Sequence, residues 1–116
     1  AIRGGGNGQS VSTAEAVRQI NREKAVLIDV CEATEYAEGH AAGSRNIPLS
    51  TIAAGVKGLP GNKSLPVLLI CRSGARATKA AAQLRQLGFA NAHAVAGGLQ
   101  AWREANLPTE RTTVNA

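Results

Sequence analysis

The sequence predicts an α/β domain built on a parallel sheet with helices on both faces, and three observations lead there. Ala25-Val26-Leu27-Ile28-Asp29-Val30 and Pro66-Val67-Leu68-Leu69-Ile70 are short, nearly continuous apolar runs, the pattern of strands covered on both sides. Segments with helical spacing alternate with these runs, which favours right-handed crossovers. The chain of 116 residues is enough for one domain with a single core.

Taken in order, residues 1–9 are expected to be a flexible linker or tag remnant, because Gly4, Gly5, Gly6 and Gly8 crowd together there. The domain should span 10–108. Ser10 to Ser12 reads as a first short strand. Ser12 then suits an N-cap, with Glu15 completing a capping box, and Ala14, Val17 and Ile20 share one face of the helix that ends near Glu23. After the second strand, Ala25 to Val30, a short helix is expected from Thr34, ended by Gly39. His40 to Ser44 reads as a loop and Arg45-Asn46-Ile47 as a short strand before Pro48. Ser50 should cap a helix reaching Val56, and Gly58 to Ser64 is an exposed turn. Ala75 to Leu87 has helical composition and Gly88 suits its C-terminus. Ala92 to Val95 is the last strand, and Gly97-Gly98 opens a final helix carrying Leu99 and Trp102 on one face. Asn106 and Pro108 stop it, and 109–116 should fray.

The segment Cys71-Arg72-Ser73-Gly74-Ala75-Arg76 sits where a buried strand passes into a helix, and chemistry should concentrate there. In parallel sheets ligands bind beyond the carboxyl ends of the strands. The start of the helix near Ala75 points its unpaired N–H groups and positive end back at Cys71. Gly74 lets the loop curl so that successive amides converge on an anion. Arg72 and Arg76 add permanent positive charge. All three favour an ionised, reactive sulfur over the alternative of a buried structural cysteine.

Charge and composition narrow the classes. The net charge is +5, and from Gly39 to Arg103 there is no Asp or Glu but eight Arg or Lys residues. A basic face around an anion-holding loop would draw small anions. No aromatic interleaving supports nucleic-acid binding. No apolar run is long enough to span a membrane and no signal peptide is present, so a cytoplasmic location is expected. The chain begins at Ala1 rather than methionine, which is compatible with an upstream anchor or targeting segment that has been removed. Two cysteines make no disulfide scaffold, and His40 and His93, with no cysteine pair at ligand spacing, make no case for a metal.

At these residues the chain resembles the rhodanese family of sulfurtransferases. CRSGAR is similar to that family's active-site loop, and Cys71 to Arg76 has its six-residue length; the phosphatases and arsenate reductases that share the fold carry a loop one residue longer. Further likeness runs from about Val11 to Pro108, through Leu27-Ile28-Asp29-Val30, Glu35-Tyr36, Gly39-His40, Gly43, Asn46-Ile47-Pro48-Leu49, Gly97-Gly98-Leu99, Trp102 and Pro108. The resemblance implies a five-stranded rhodanese-like sheet and a sulfane-sulfur transferase without cofactor. Cys71 would carry a persulfide, and Arg72, Ser73, Gly74, Ala75 and Arg76 would bind the donor. That donor would be a small anion such as thiosulfate, and the acceptor cyanide, a thiol or a partner protein, with the enzyme a monomer. The rival readings are a partner-specific sulfur-carrier or regulatory module and a phosphatase or arsenate reductase of the same fold.

One landmark departs. The family usually has arginine where this chain has Cys31, so an ion pair with Glu35 is expected to be lost. Cys31 ends a strand expected beside that of Cys71, which leaves two readings: a disulfide on oxidation, or a small half-buried side chain. His40 looks structural within its Gly-His motif. Asp29 is expected to organise the loop as a hydrogen-bond acceptor, not to act as an acid.

Overall fold

The computed structural model describes residues 10–52 and 58–111. The expected linker at 1–9, the expected helical stretch at 53–56 and the tail at 112–116 lie outside them. In chain order the elements are β1 (Ser10–Val11), α1 (Thr13–Glu23), β2 (Val26–Asp29), α2 (Ala33–Glu38), β3 (His40–Ala41), β4 (Arg45–Asn46) and α3 (Leu49–Ile52). Then follow β5 (Val67–Ile70), α4 (Ala75–Gln86), β6 (Ala92–Val95), α5 (Gly98–Glu104) and β7 (Thr109–Glu110).

Five strands form one parallel sheet in the order β1-β6-β5-β2-β4. The most apolar strand, β5, lies at its centre, paired through Val26–Val67 and Asp29–Ile70 on one side and Val67–Ala92 on the other. Strand alternation splits the core in two. Val67, Leu69 and Cys71 face one way, with Ile28 and Val30, onto Ala77, Ala80, Ala81 and Leu84 of α4. Leu68 and Ile70 face the other way, with Leu27 and Val95, onto Ala16 of α1 and Leu99 and Trp102 of α5. The alanines of α4 bring that helix close to the sheet, so the chain builds a dense core with few aromatic side chains.

Local signals set most boundaries. The Ser12 hydroxyl accepts the Glu15 N–H at 3.0 Å, but the Glu15 carboxylate turns to Arg18 and Gln19 rather than closing a reciprocal box. The next helix starts one residue earlier than expected, at Ala33. Glu32 and Glu35 make the capping box there, with the Glu32 N–H donating to Glu35 Oε1 at 3.0 Å. Helix α3 likewise starts at Leu49, so Ser50 lies in its first turn instead of capping it; Thr51 bonds back to the Pro48 carbonyl.

Two segments read as irregular are in fact paired. His40–Ala41 and Thr109–Glu110 form a small antiparallel ladder, so the chain is still held at residues expected to fray. The Pro108 carbonyl accepts from Ala42 N–H at 3.0 Å and from Trp102 Nε1 at 2.8 Å, tying the exit from α5 to β3. Neither segment carries a periodic signal, and their pairing joins stretches far apart in the chain.

Candidate active site

Strand β5 delivers Cys71 to the carboxyl edge of the sheet, and the chain then curls through Arg72, Ser73 and Gly74 into α4. Gly74 takes φ 119°, a conformation open to glycine and strained for other residues. The curl brings the Gly74 N–H to 3.0 Å and the Ala77 N–H to 3.4 Å from Cys71 Sγ. The sulfur thus lies over the first turn of α4, where helical N–H groups have no carbonyl of their own. Among the described residues, no protein acceptor engages the N–H groups of Arg72, Ser73, Ala75 or Arg76.

The ring is braced from outside by α5. The Leu99 N–H donates to the Cys71 carbonyl at 2.7 Å and the Gln100 N–H to the Arg72 carbonyl at 3.3 Å. Only glycine fits before Leu99. Gly98 has φ 58°, and a Cβ there would overlap the Cys71 carbonyl oxygen and lie 2.8 Å from the Arg72 carbonyl carbon. At the surface, Thr78 bonds the Gly74 carbonyl through both its N–H and its hydroxyl.

A domain model of the rhodanese-like domain matches residues 12–105 of this chain. The chain belongs to the rhodanese family. Among its relatives, the thiosulfate sulfurtransferase GlpE of Pseudomonas putida is 33% identical over 96 residues, covering 83% of this chain and 84% of the relative. YibN of Escherichia coli, an uncharacterized protein, is 35% identical over 102 residues, 87% of this chain and 71% of YibN. A rhodanese-related protein from Thermoplasma volcanium superposes with TM-score 0.76 at 32% identity, covering 88% and 97% of the two chains. The human single-domain sulfurtransferase TSTD1 gives 0.74 at 26%, covering 82% and 95%. At family level these relatives support sulfur transfer, and the fold is the one the resemblance implied.

The arginines of this rhodanese domain stand differently from the sequence expectation. Arg76 pairs with both carboxylate oxygens of Glu35, at 2.7 and 3.2 Å. Arg72 reaches Glu35 Oε2 at 3.2 Å and Glu38 Oε1 at 3.1 Å. Cys31 gives Glu35 no ion pair, as expected, but the loop's own arginines pair with that carboxylate. Arg76, with the Glu32 N–H, holds the Glu35 carboxyl well down, to about 2. The expected basic face is thus partly neutralised where it meets the loop, by acids from α2. Folding carries these acids to the rim although the 39–103 stretch is free of acid.

The other candidates sort by contact. Ser73 sits exposed in the curl. Asp29 accepts the Cys31 N–H at 2.8 Å, and burial pushes its carboxyl upward. The Cys31 thiol is buried; burial and the Asp29 charge push it up to about 12. Cys31 and Cys71 are both free thiols on the same face of the sheet. His40 stacks on Tyr36 at 3.7 Å, its Nδ1 lies 2.7 Å from the Tyr36 carbonyl oxygen, and Nε2 lies 3.7 Å from Glu110. These contacts fasten α2 to the β3–β7 ladder. His93 lies half-buried on β6, away from the loop. Among the described residues no helix is long and apolar enough to cross a membrane.

Sequence reasoning placed the anion-holding donors between 72 and 76 and missed Ala77. Its signal was available, since N–H groups stay unpartnered into the third helical position and α4 was expected to start at Ala75.

Proposed function

We propose that this rhodanese domain transfers sulfane sulfur from thiosulfate to a thiophilic acceptor through a persulfide on Cys71. The Cys71 thiolate attacks the outer sulfur of the donor. A sulfur–sulfur bond forms, the donor's own sulfur–sulfur bond breaks, and its electron pair leaves with sulfite. Cyanide or a thiolate then takes the outer sulfur and returns the electron pair to Cys71. The observation that carries this reading is the pair of N–H groups at 3.0 and 3.4 Å from Sγ, with four further loop amides that meet no protein acceptor among the described residues. Donors fixed before the reaction stabilise charge without reorganising as it moves outward by one sulfur atom.

The ion pairs of Arg72 and Arg76 favour a second reading, a sulfur-carrier module served by a partner protein. Arginines already held by Glu35 and Glu38 attract a free dianion less than the bare loop would. Intact mass separates the two. Incubation with thiosulfate should add one sulfur to the protein, cyanide should remove it as thiocyanate, and the Cys71→Ser protein should gain nothing. No gain in mass and no thiocyanate would sink the thiosulfate reading.

A further inference from the structure

Helix α2 carries the two carboxylates that meet the loop, yet none of its residues is fully buried. With little core contact to fix it, its position depends on polar ties at its ends. The strand that follows α5 supplies those ties at one end. Thr109 and Glu110 pair with Ala41 and His40, directly beyond the end of α2. His40 stacks on Tyr36 of α2, and its Nε2 lies 3.7 Å from the Glu110 carboxylate. Arg111 then donates from Nε to the Glu38 carbonyl at 3.3 Å, while the Glu38 carboxylate takes Arg72 Nη2 at 3.1 Å. Glu38 thus has its backbone tied to the strand and its side chain on the active-site loop.

We propose that residues 109–111 are a strap that sets donor preference: by holding Glu38 against Arg72 it disfavours dianionic donors relative to monoanionic ones at the Cys71 loop. The inference rests on the sulfur-transfer reading above. It adds Arg111 as a positioning residue and Glu38 as a specificity-determining one.

Charge gives the direction. Arg72 and Arg76 bring two positive charges to the loop, and Glu35 and Glu38 oppose them with two negative ones. What remains is chiefly the set of amide donors, which suits a single negative charge on the transferred sulfur. Thiosulfate brings two charges. A thiosulfonate, with a carbon substituent in place of one oxygen, brings one and leaves as a sulfinate when its outer sulfur moves to Cys71. Removing the Glu38 charge therefore helps the dianion more. Both side chains are open to water, 72% exposed for Glu38 and 48% for Arg72, so the effect is a few-fold rather than tens of fold.

In a ping-pong reaction kcat/KM for the donor reports the first half-reaction alone. We therefore compare thiosulfate and methanethiosulfonate as donors, with cyanide as acceptor, for wild-type protein, Glu38→Gln, Arg111→Gln and the double variant. Glu38→Gln should raise kcat/KM for thiosulfate by about threefold at low salt and for methanethiosulfonate by less than about twofold, a gap that closes as ionic strength rises. Arg111→Gln should raise the thiosulfate value by about twofold while lowering the melting temperature. Loss of a positive charge would by itself weaken anion capture, and general loosening would weaken both donors alike, so that rise reports release of Arg72. The double variant should match Glu38→Gln alone, because Arg111 acts through Glu38. Additive effects of the two substitutions, a thiosulfate value for Arg111→Gln at or below wild type, or equal changes for the two donors would overturn the strap while leaving sulfur transfer intact. Absence of turnover with either donor in the wild-type protein would overturn both.

Discussion

Two cysteines stand at the ends of neighbouring strands in this domain, on the same face of the sheet and equally buried, yet their surroundings are opposite. Cys71 follows β5 and meets N–H groups from Gly74 and Ala77. Cys31 follows β2 and meets the Asp29 carboxylate, which together with burial pushes its thiol up to about 12. Burial by itself penalises a sulfur anion at either position. What separates them is the next piece of chain. After Cys71 the backbone turns so that the opening of a helix aims its donors at sulfur. After β2 the carboxylate of Asp29 takes the backbone N–H of Cys31 and places its charge beside the thiol. The two sulfurs differ in the dipoles that face them, not in their depth in the protein.

The sharpest test of that contrast is to remove each sulfur in turn. Cys71→Ala should reduce thiosulfate–cyanide turnover by about a thousandfold or more, as expected for loss of a covalent nucleophile. Cys31→Ala should leave kcat within about threefold of wild type, with a melting temperature only a few degrees lower because one buried sulfur is lost. A comparable loss in both variants would mean that the two thiols act together, and would restore the disulfide reading left open by the sequence.

A smaller effect is expected from loosening one loop while leaving the other alone. Gly98→Ala forces a methyl group into the carbonyls of Cys71 and Arg72 at a residue with φ 58°. The brace from Leu99 and Gln100 should open, costing about 2–4 kcal/mol of stability in chemical denaturation and about tenfold or more in turnover. Gly43→Ala is the control: its φ of 84° is strained in the same sense, but nothing lies within 4 Å of the added methyl. It should cost about 1 kcal/mol and leave turnover unchanged. Equal losses in the two variants would show that backbone strain, not the brace, was being measured.

The smallest effect concerns Glu35, which the two regions share. Its folded carboxyl is held at about 2, below its ordinary 4.5, chiefly by Arg76. The unfolded state therefore takes up the proton first as pH falls. The ion pair's contribution is fully present above about 4.5 and is lost as pH falls through about 2. Melting temperatures of wild type and Glu35→Gln should differ at neutral pH and converge across that window. The variant also releases Arg72 and Arg76 towards the ligand, so KM for thiosulfate should fall by about threefold. A raised KM would show that the arginines need Glu35 to hold them in a useful position.

Much of this was legible beforehand because short-range rules governed it. Continuous apolar runs announced β2 and β5. The six-residue spacing from Cys71 to Arg76 announced the loop, and the glycine pair announced the start of α5. The expectation that Asp29 acts as a hydrogen-bond acceptor agrees with its bond from the Cys31 N–H. The misreadings share one cause. The partners of Arg72 and Arg76 come from α2, more than thirty residues away in sequence. The pairing of Thr109–Glu110 with His40–Ala41 joins segments about seventy residues apart. A run of 39–103 without acid suggested a bare basic face, since charge counted along a chain carries no record of what folds over it.

By itself, then, the sequence determined the α/β class, the strand that presents Cys71, the curl that Gly74 permits and the helix whose opening faces the sulfur. Each depends on residues within one or two turns of one another, where composition and backbone preference act directly. Only the tertiary structure decided that Glu35 and Glu38 occupy the loop arginines and that the amides of α5 brace the ring. Those outcomes depend on which distant charges and amides meet across the edge of the sheet, and such meetings are set by packing, which local spacing does not encode.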